Sequence, residues 1–158
     1  MTSKPSEFIN RLRMLHISLL GGMMVFATII FVLVSSGKFP AVVDASIDRI
    51  LQVVALILTS VLLVVGFGVF KKRIRQVHQS TDPALQKLDK YRTSCITWWA
   101  MIEAPGIFAL VGFLLTGNYA FFALACFHIL LLTVFMPRKD NIIVLINLNS
   151  DELGRLEK

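Results

Sequence analysis

The sequence predicts an all-α integral membrane protein with four transmembrane helices, arranged as two antiparallel hairpins with both termini in the cytoplasm. Its composition, the lengths of its apolar blocks and the placement of its positive charges predict this class. Hydrophobic residues make up 56% of the 158 residues and charged residues 16%, against about 45–50% and about 25% in soluble domains. The apolar excess falls into four blocks, at residues 14–34, 50–70, 93–115 and 119–136.

The block lengths indicate membrane-spanning helices. Each block has about 18–23 residues, and at about 1.5 Å per residue a helix of this length crosses a hydrocarbon core of about 30 Å. A barrel strand would need only about 10 residues and would alternate polar with apolar residues. We therefore expect a short lead at 1–13, a four-helix domain at 14–136 and a tail at 137–158. Residues 71–92 connect the second and third helices.

The positive charges predict the orientation. The connection at 35–48 carries only Lys38, and the connection at 116–118 carries none. The basic residues of the lead, of the 71–92 connection and of the early tail are Lys4, Arg11, Arg13, Lys71, Lys72, Arg73, Arg75, Lys87, Lys90, Arg92, Arg138 and Lys139. By the positive-inside rule, both termini and the 71–92 connection face the cytoplasm, across the cytoplasmic (inner) membrane.

The densest basic run is Lys71, Lys72, Arg73 and Arg75. Such a run could contact anionic lipid headgroups or a partner protein. The need for topogenic charge explains it equally, because every multispanning protein carries such residues.

Small residues mark candidate helix-packing positions. Ser18 and Gly22 form a small-xxx-small pair in the first helix, and Ala109 and Gly112 are small residues in the third. Small residues let two helix backbones approach closely in lipid. We expect the Ser18–Gly22 pair to pack within the molecule, with a dimer face as the alternative.

The tail opens with an apolar run at 142–146, which is too short to span a bilayer. We expect it to lie on the cytoplasmic surface. Ser150 is a candidate cap for a last turn of helix.

Glu103 is the only acidic residue deep inside an apolar block. A charge at that depth costs several kcal/mol, so an ionisable residue there is paired, neutral or functional. Two residues later, Pro105 removes a backbone donor and leaves the carbonyl of Met101 without its helical partner. Gly106 adds conformational freedom to the backbone at this point. We predict a helix break at Pro105 and Gly106 beside a carboxyl group that is neutral because burial disfavours its charged form.

Counting residues from the turns gives the expected neighbours of Glu103. Thr59, Ser60 and Thr133 come to about its height, and His128 lies about one turn further out. Such a layer of oxygens could bind a proton or a sodium ion. Alternatively, the neutral acid locks the bundle by hydrogen bonding.

The stretch Glu103–Val111 resembles the carboxylate helix of subunit c, the proteolipid of rotary ATP synthases. In both, the glutamate is followed by an isoleucine, an aromatic residue and Leu-Val. The resemblance implies that Glu103 is an ion-binding carboxylate in an oligomer. The whole chain is also similar to small four-helix bacterial membrane proteins with Glu-Ala-Pro in helix 3 and a closing Pro-Arg.

Two functions follow as hypotheses. The first is a structural or accessory subunit of a membrane assembly, with Glu103 as an internal lock. The second is a proton- or cation-binding subunit of an oligomeric ion-translocating complex. The second apolar block contains only Gly66 and Gly68, whereas proteolipid helices are rich in glycine, and this favours the first. An ion carrier needs its carboxyl group at a lipid or subunit surface, while a lock must be enclosed.

Other site types receive less support. His16 and His128 could ligate haem or a metal, and the methionines could handle copper, but no matching ligand pattern accompanies them. Cys95 and Cys126 lie at different depths, which argues against a disulfide. No catalytic triad, phosphate loop, zinc spacing or nucleic-acid module is present. We expect no enzyme activity and no cofactor, with the lipid bilayer and a homo-oligomer or larger membrane complex as partners.

Overall fold

The computed structural model describes residues 5–147, and all regular secondary structure in that range is helical. The five helices are α1 (Pro5–Ser35), α2 (Ala45–Gln79), α3 (Ala84–Thr116), α4 (Tyr119–Val134) and α5 (Lys139–Leu145). By length and composition α1, α2 and α3 could each cross a membrane, and α4 is a shorter apolar helix of 16 residues. The predicted all-helical fold with long apolar helices is confirmed, and it indicates a membrane protein.

The helices are longer than the apolar blocks that predicted them. α1 already begins at Pro5, inside the expected lead. α2 continues to Gln79 and α3 starts at Ala84, so only residues 80–83 remain of the 71–92 connection. Lysine, arginine and glutamine are good helix formers, so the polar sequence prolongs each helix beyond its apolar part.

α3 is the central helix of the molecule. It packs against α1, α2 and α4, and α1 also contacts α4. The predicted hairpin of α3 and α4 is present, closed by Gly117 in the left-handed conformation (φ 67°) at the end of α3. The predicted hairpin of α1 and α2 is not formed. Among the described residues, α2 packs mainly on α3, and α1 packs on α3 and α4.

Three glycines allow the close approach of other helices to α3. A Cβ atom on Gly66 of α2 would lie 2.7 Å from the Met101 Sδ atom, and one on Gly112 would lie 2.7 Å from the Phe121 ring. A Cβ atom on Gly106 would overlap the end of the Met23 side chain. These contacts fix α1, α2 and α4 around α3.

The other predicted packing residues divide into two groups. Ala109 is buried in one apolar cluster with Phe121, on the side of α3 that faces α4. Ser18 and Gly22 are exposed, and nothing lies within 4 Å of a Cβ atom on Gly22. The intramolecular packing expected at Ser18 and Gly22 is therefore wrong, because α1 faces the bundle with its opposite side.

α3 runs without interruption through Pro105. The predicted helix break at Pro105 and Gly106 is therefore wrong. A proline costs the helix one hydrogen bond, and membrane helices tolerate it where neighbouring helices hold the segment. Both residues are buried, and the tight contacts at Gly106 hold α3 on either side of the missing bond.

α5 folds back and docks on the end of the bundle, and its expected place on the cytoplasmic surface stays a prediction. Ile142 and Ile146 are completely buried in the same core cluster as Leu88 and Trp99. His78 Nδ1 of α2 lies 3.1 Å from the carbonyl oxygen of Leu145. This docking explains the apolar run at 142–146, while the cap expected at Ser150 lies outside the described residues.

The two ends of the bundle differ in charge. We call the end that carries α5 and the 80–83 link the basic end; Arg11, Arg13, Lys71, Lys72, Arg75, Arg92 and Arg138 are exposed there. At the opposite end Lys38 and Arg49 are offset by Asp44 and Asp48. There, Asn118 Nδ2 donates to an Asp48 carboxylate oxygen at 3.0 Å, which ties the α3–α4 turn to α2.

Candidate functional site

Glu103 is half-buried and lies at the edge of an outward-facing strip of α3. We call this strip the outer face of α3; it consists of Ile96, Ala100, Ala104, Ile107 and Val111, all exposed. Within residues 5–147, no hydrogen bond or ion pair joins the Glu103 carboxyl group to another residue. Glu103 is thus not enclosed by its own bundle.

The depth of Glu103 follows from the polar groups at the two ends of α3. At the basic end, Arg73 Nη1 donates to the Thr97 hydroxyl oxygen at 3.1 Å. Thr97 is about 28 Å along α3 from Thr116, close to the thickness of a hydrocarbon core. Glu103 is about 9 Å from Thr97, so it lies roughly one third of the way along this apolar part of α3, nearer the basic end.

α1 offers Glu103 no polar partner. His16 stacks edge-on against Trp99, with 4.5 Å between ring centroids, and Met23 lies against Gly106. In both contacts the residue of α3 is 83 positions after the residue of α1, so the two parallel helices keep one register. In that register Leu20 is level with Glu103. Leu20 has no side-chain group that can hydrogen bond.

The predicted layer of oxygens around Glu103 is only partly assembled, and not around Glu103. Thr59 is buried, and its hydroxyl lies 3.2 Å from His128 Nε2. Ser60 is exposed on α2. Thr133 is also exposed, and it donates to the carbonyl of Ile129 in its own helix at 2.9 Å. The contact with His128 puts Thr59 near the level of Gly106, whereas Thr133 is five residues further along α4, or about 7.5 Å nearer the basic end. The expected layer is therefore not present at a single height.

The interior of the bundle holds two fully buried histidines, His16 and His128. His16 Nδ1, His16 Nε2 and His128 Nδ1 have no hydrogen-bond partner among the described residues. His16 lies beside the backbone carbonyl of Leu132 and His128 beside that of Ile102. We call His16, His128 and Thr59 the histidine core.

The histidine core was only partly foreseen. The sequence singled out His128 and Thr59 as neighbours of Glu103, and His16 only as a possible haem or metal ligand. Their burial follows from the contacts on α3, with Trp99 beside His16 and Gly106 beside His128. Within residues 5–147, no group of three or more His, Cys, Asp or Glu side chains is placed to hold a metal ion. Imidazoles in this position can hydrogen bond or take up a proton.

The basic run is not uniform. Lys71, Lys72 and Arg75 are exposed, whereas Arg73 is half-buried by its contact with Thr97. Arg73 therefore has a structural role that the charge pattern did not reveal. Cys95 and Cys126 are both free thiols.

No protein-family model, no curated protein and no solved structure matches the chain. The position of Glu103 at the edge of the outer face of α3 is therefore the observation from which function is inferred.

Proposed function

We propose that the chain crosses the cytoplasmic membrane four times, with the basic end in the cytoplasm. The asymmetry of charge supports this orientation. At the basic end the lysines and arginines outnumber Glu7, Asp82 and Asp89, which pair with three of them. At the other end Lys38 and Arg49 are matched by Asp44 and Asp48. α4 has 16 residues, or about 24 Å of helix, and its flanking residues extend it toward the full hydrocarbon thickness.

Cysteine labelling tests the orientation. In a variant with both native cysteines replaced, Lys38→Cys should react with a membrane-impermeant maleimide added to intact cells. Arg75→Cys should react only after the membrane is opened, because both positions are exposed but lie at opposite ends. The reverse labelling pattern would reject the orientation.

Within this arrangement, the proposed function is that of a structural or accessory subunit of a membrane assembly, in which copies of the chain associate through the outer face of α3. The observation that carries the proposal is Glu103, which is only partly buried inside the apolar part of α3 and whose carboxyl group has no partner in residues 5–147. A polar group that faces hydrocarbon is costly, and a partner across an interface offsets that cost.

The outer face also has the shape that a helix contact needs. Ala100 and Ala104 form a small-xxx-small pair beside Glu103, and both are exposed. Such pairs allow close approach of two helices, and polar side chains then hydrogen bond across the contact. Because two-fold association brings identical faces together, the two Glu103 carboxyl groups can bond to each other. This favours a second copy as the partner.

A proton- or cation-binding role is the second candidate. The same observation favours it, since a carrier needs its carboxyl group at a surface and Glu103 is half-exposed. Neither Ser60 nor Thr133 hydrogen bonds to Glu103 among the described residues, and Thr133 donates within its own helix. In this role, further oxygen ligands for a cation would come from a neighbouring subunit.

The oligomeric mass in mild detergent or nanodiscs tests the assembly. Ala104→Phe should disrupt it by filling the outer face, whereas Val64→Phe on α2, where Val64 is 74% exposed, should leave it intact. Glu103→Leu should weaken association roughly threefold to twentyfold, as expected for about 0.6–1.7 kcal/mol from one interhelical polar contact. A wild-type monomer, or equal effects of the two phenylalanine variants, would reject the proposal.

The two candidates separate on Glu103→Gln. An amide keeps the ability to hydrogen bond but cannot titrate. A structural subunit should assemble and support its complex nearly normally with this change. A carrier should lose ion binding, and its wild type should react at Glu103 with dicyclohexylcarbodiimide, which attacks protonated carboxyl groups in apolar sites.

A further inference from the structure

A cavity of about 260 Å³ lies at the basic end, where α2, α3, α4 and α5 meet. Its walls are largely aromatic, and its polar groups belong to α3 and to the start of α5. The residues that matter here are Phe70, Tyr91, Trp98, Phe135, Arg138 and Asn141.

The polar side of the cavity favours an anion. Arg138 supplies a guanidinium group and Asn141 an amide. Lys87 lies one turn before Tyr91 on the same side of α3; it is 7% exposed, and its Nζ atom is 3.5 Å from the carbonyl oxygen of Asn147. A guanidinium group suits phosphate because it can donate two parallel hydrogen bonds.

The side chains around the cavity are held in place by packing. Ile142 and Ile146 are fully buried and hold α5 against the bundle. The Trp98 ring packs edge-on against Phe135 at 5.2 Å and close to Gly66 on its other side. The aromatic walls are therefore fixed from three helices.

The level of the cavity matches that of lipid headgroups. Trp98 follows Thr97, whose bond to Arg73 marks the polar boundary of the apolar span. Tryptophan and tyrosine are enriched at this depth because their rings suit the interface between lipid and water. Arg138 is exposed beyond that boundary, and Val134 and Phe135 line the cavity on the apolar side.

We propose that this cavity binds the phosphate group of an anionic phospholipid. Arg138 binds the phosphate oxygens, Asn141 donates to the same headgroup, and the start of the acyl chains lies along Val134 and Phe135. An anionic lipid is favoured over a zwitterionic one because the Arg138 guanidinium group attracts its net negative charge. The proposal rests on the membrane placement but not on association through Glu103.

The tryptophans report binding directly. The chain has two, Trp98 and Trp99, and both line the cavity. We would place the protein in nanodiscs of phosphatidylcholine and add phosphatidylglycerol brominated near the headgroup end of its acyl chains. Tryptophan fluorescence should be quenched at about tenfold lower mole fraction than with brominated phosphatidylcholine. Arg138→Gln should abolish this preference.

Arg75→Gln is the matched control, since it removes an exposed positive charge from the basic end without touching the cavity. It should keep the preference for phosphatidylglycerol. Equal quenching by the two lipids in the wild type, or equal losses in the two variants, would overturn the proposal. If soluble glycerol 3-phosphate relieves the quenching in an Arg138-dependent way at concentrations as low as those of the lipid, the acyl chains add nothing to binding, the site takes a free phosphate ester and the lipid assignment is wrong.

Discussion

At the level of single residues, the direction of each side chain decides its chemistry. Glu103 and Thr59 were expected in one polar layer, yet Thr59 bonds to His128 in the interior while Glu103 lies at the edge of the outer face. A residue count gives height along a helix to within a turn. It does not give the rotation of each helix about its own axis, which depends on packing.

The bond between Thr59 and His128 should contribute measurably to stability. Thr59→Val keeps the shape but leaves His128 Nε2 without its partner. We expect a loss of about 0.6–1.7 kcal/mol in the free energy of unfolding, the range of interhelical hydrogen bonds in membranes. Unfolding in mixed micelles measures it. Thr28→Val is the control, since Thr28 is exposed and bonds only to Met24 of its own helix; equal losses would contradict the role of His128.

Asp82 should titrate below the ordinary range of a carboxyl group. The pKa of Asp82 is lowered because the Lys90 ammonium group donates to the carboxylate at 2.6 Å, with a further bond from Ser80. A lowered pKa means that the stabilisation is present above the ordinary carboxyl pKa and is lost as pH falls through the lowered value. NMR titration should show the Asp82 pKa rising toward its ordinary value in Lys90→Met.

The control for this titration is Asp44. Its pKa is also lowered, but by the backbone N–H of Ile47 and by Ser46 at the start of α2. Lys90→Met should leave the Asp44 titration unchanged. A shift of both residues would mean a general change of fold and not the loss of one ion pair.

At the level of elements, α3 organises the molecule because its glycines and its partners' glycines permit contact on three sides. Gly106 meets α1 and α4 at one point, next to Pro105. The proline removes one hydrogen bond of α3, and the packing at Gly106 holds the helix in place there. The sequence predicted a helix break at this position, whereas in the structure the helix continues and packs closely against α1 and α4.

Gly106→Ala should therefore destabilise the fold. The new Cβ atom would lie 2.9 Å from His128 Cβ and would overlap the Met23 side chain. Overpacking of this kind costs about 1–3 kcal/mol. Gly22→Ala is the matched control, because nothing lies within 4 Å of its Cβ position and alanine is the better helix former. The unfolding midpoints of the two variants should move in opposite directions, and a neutral Gly106→Ala would contradict the packing.

At the level of the whole molecule, α3 is the central helix, and lysine and arginine are concentrated at one end of the bundle. α1 and α2 each leave a broad apolar surface exposed, with residues such as Met14 and Val64. Lipid covers such a surface without cost, so exposure alone does not indicate an interface. The outer face of α3 differs because the Glu103 carboxyl group lies beside two exposed small residues, Ala100 and Ala104.

The exposed lysines and arginine of the basic run should help to orient the chain. Neutralising Lys71, Lys72 and Arg75 together weakens the charge asymmetry while sparing the contact between Arg73 and Thr97. A cysteine at Lys38 should then label from outside in only part of the molecules, because the positive-inside rule acts through such charges. Neutralising Arg49 instead should leave labelling complete. Full labelling in both would show that other segments determine orientation.

The sequence by itself determined the all-helical class with long apolar helices and the uneven distribution of positive charge between the two ends. These follow from composition and from lengths of apolar sequence, which depend on the solvent around each segment and not on long-range contacts. It also drew attention to Glu103 and His128, since polar residues in apolar helices are few. The hydropathy of the sequence did not predict that α2 and α3 continue into the polar residues between their apolar parts, because hydropathy detects only apolar segments.

Only the tertiary structure decided which residues meet. It placed Ser18 and Gly22 on the outside, kept α3 continuous through Pro105, paired Thr59 with His128 and left Glu103 half-exposed. In lipid the outside of a bundle is as apolar as its inside, so hydrophobic periodicity does not show which side of a helix faces its neighbours. That choice depends on how small residues such as Gly66 and Gly106 fit large ones across helices, and therefore on the packing of the whole chain.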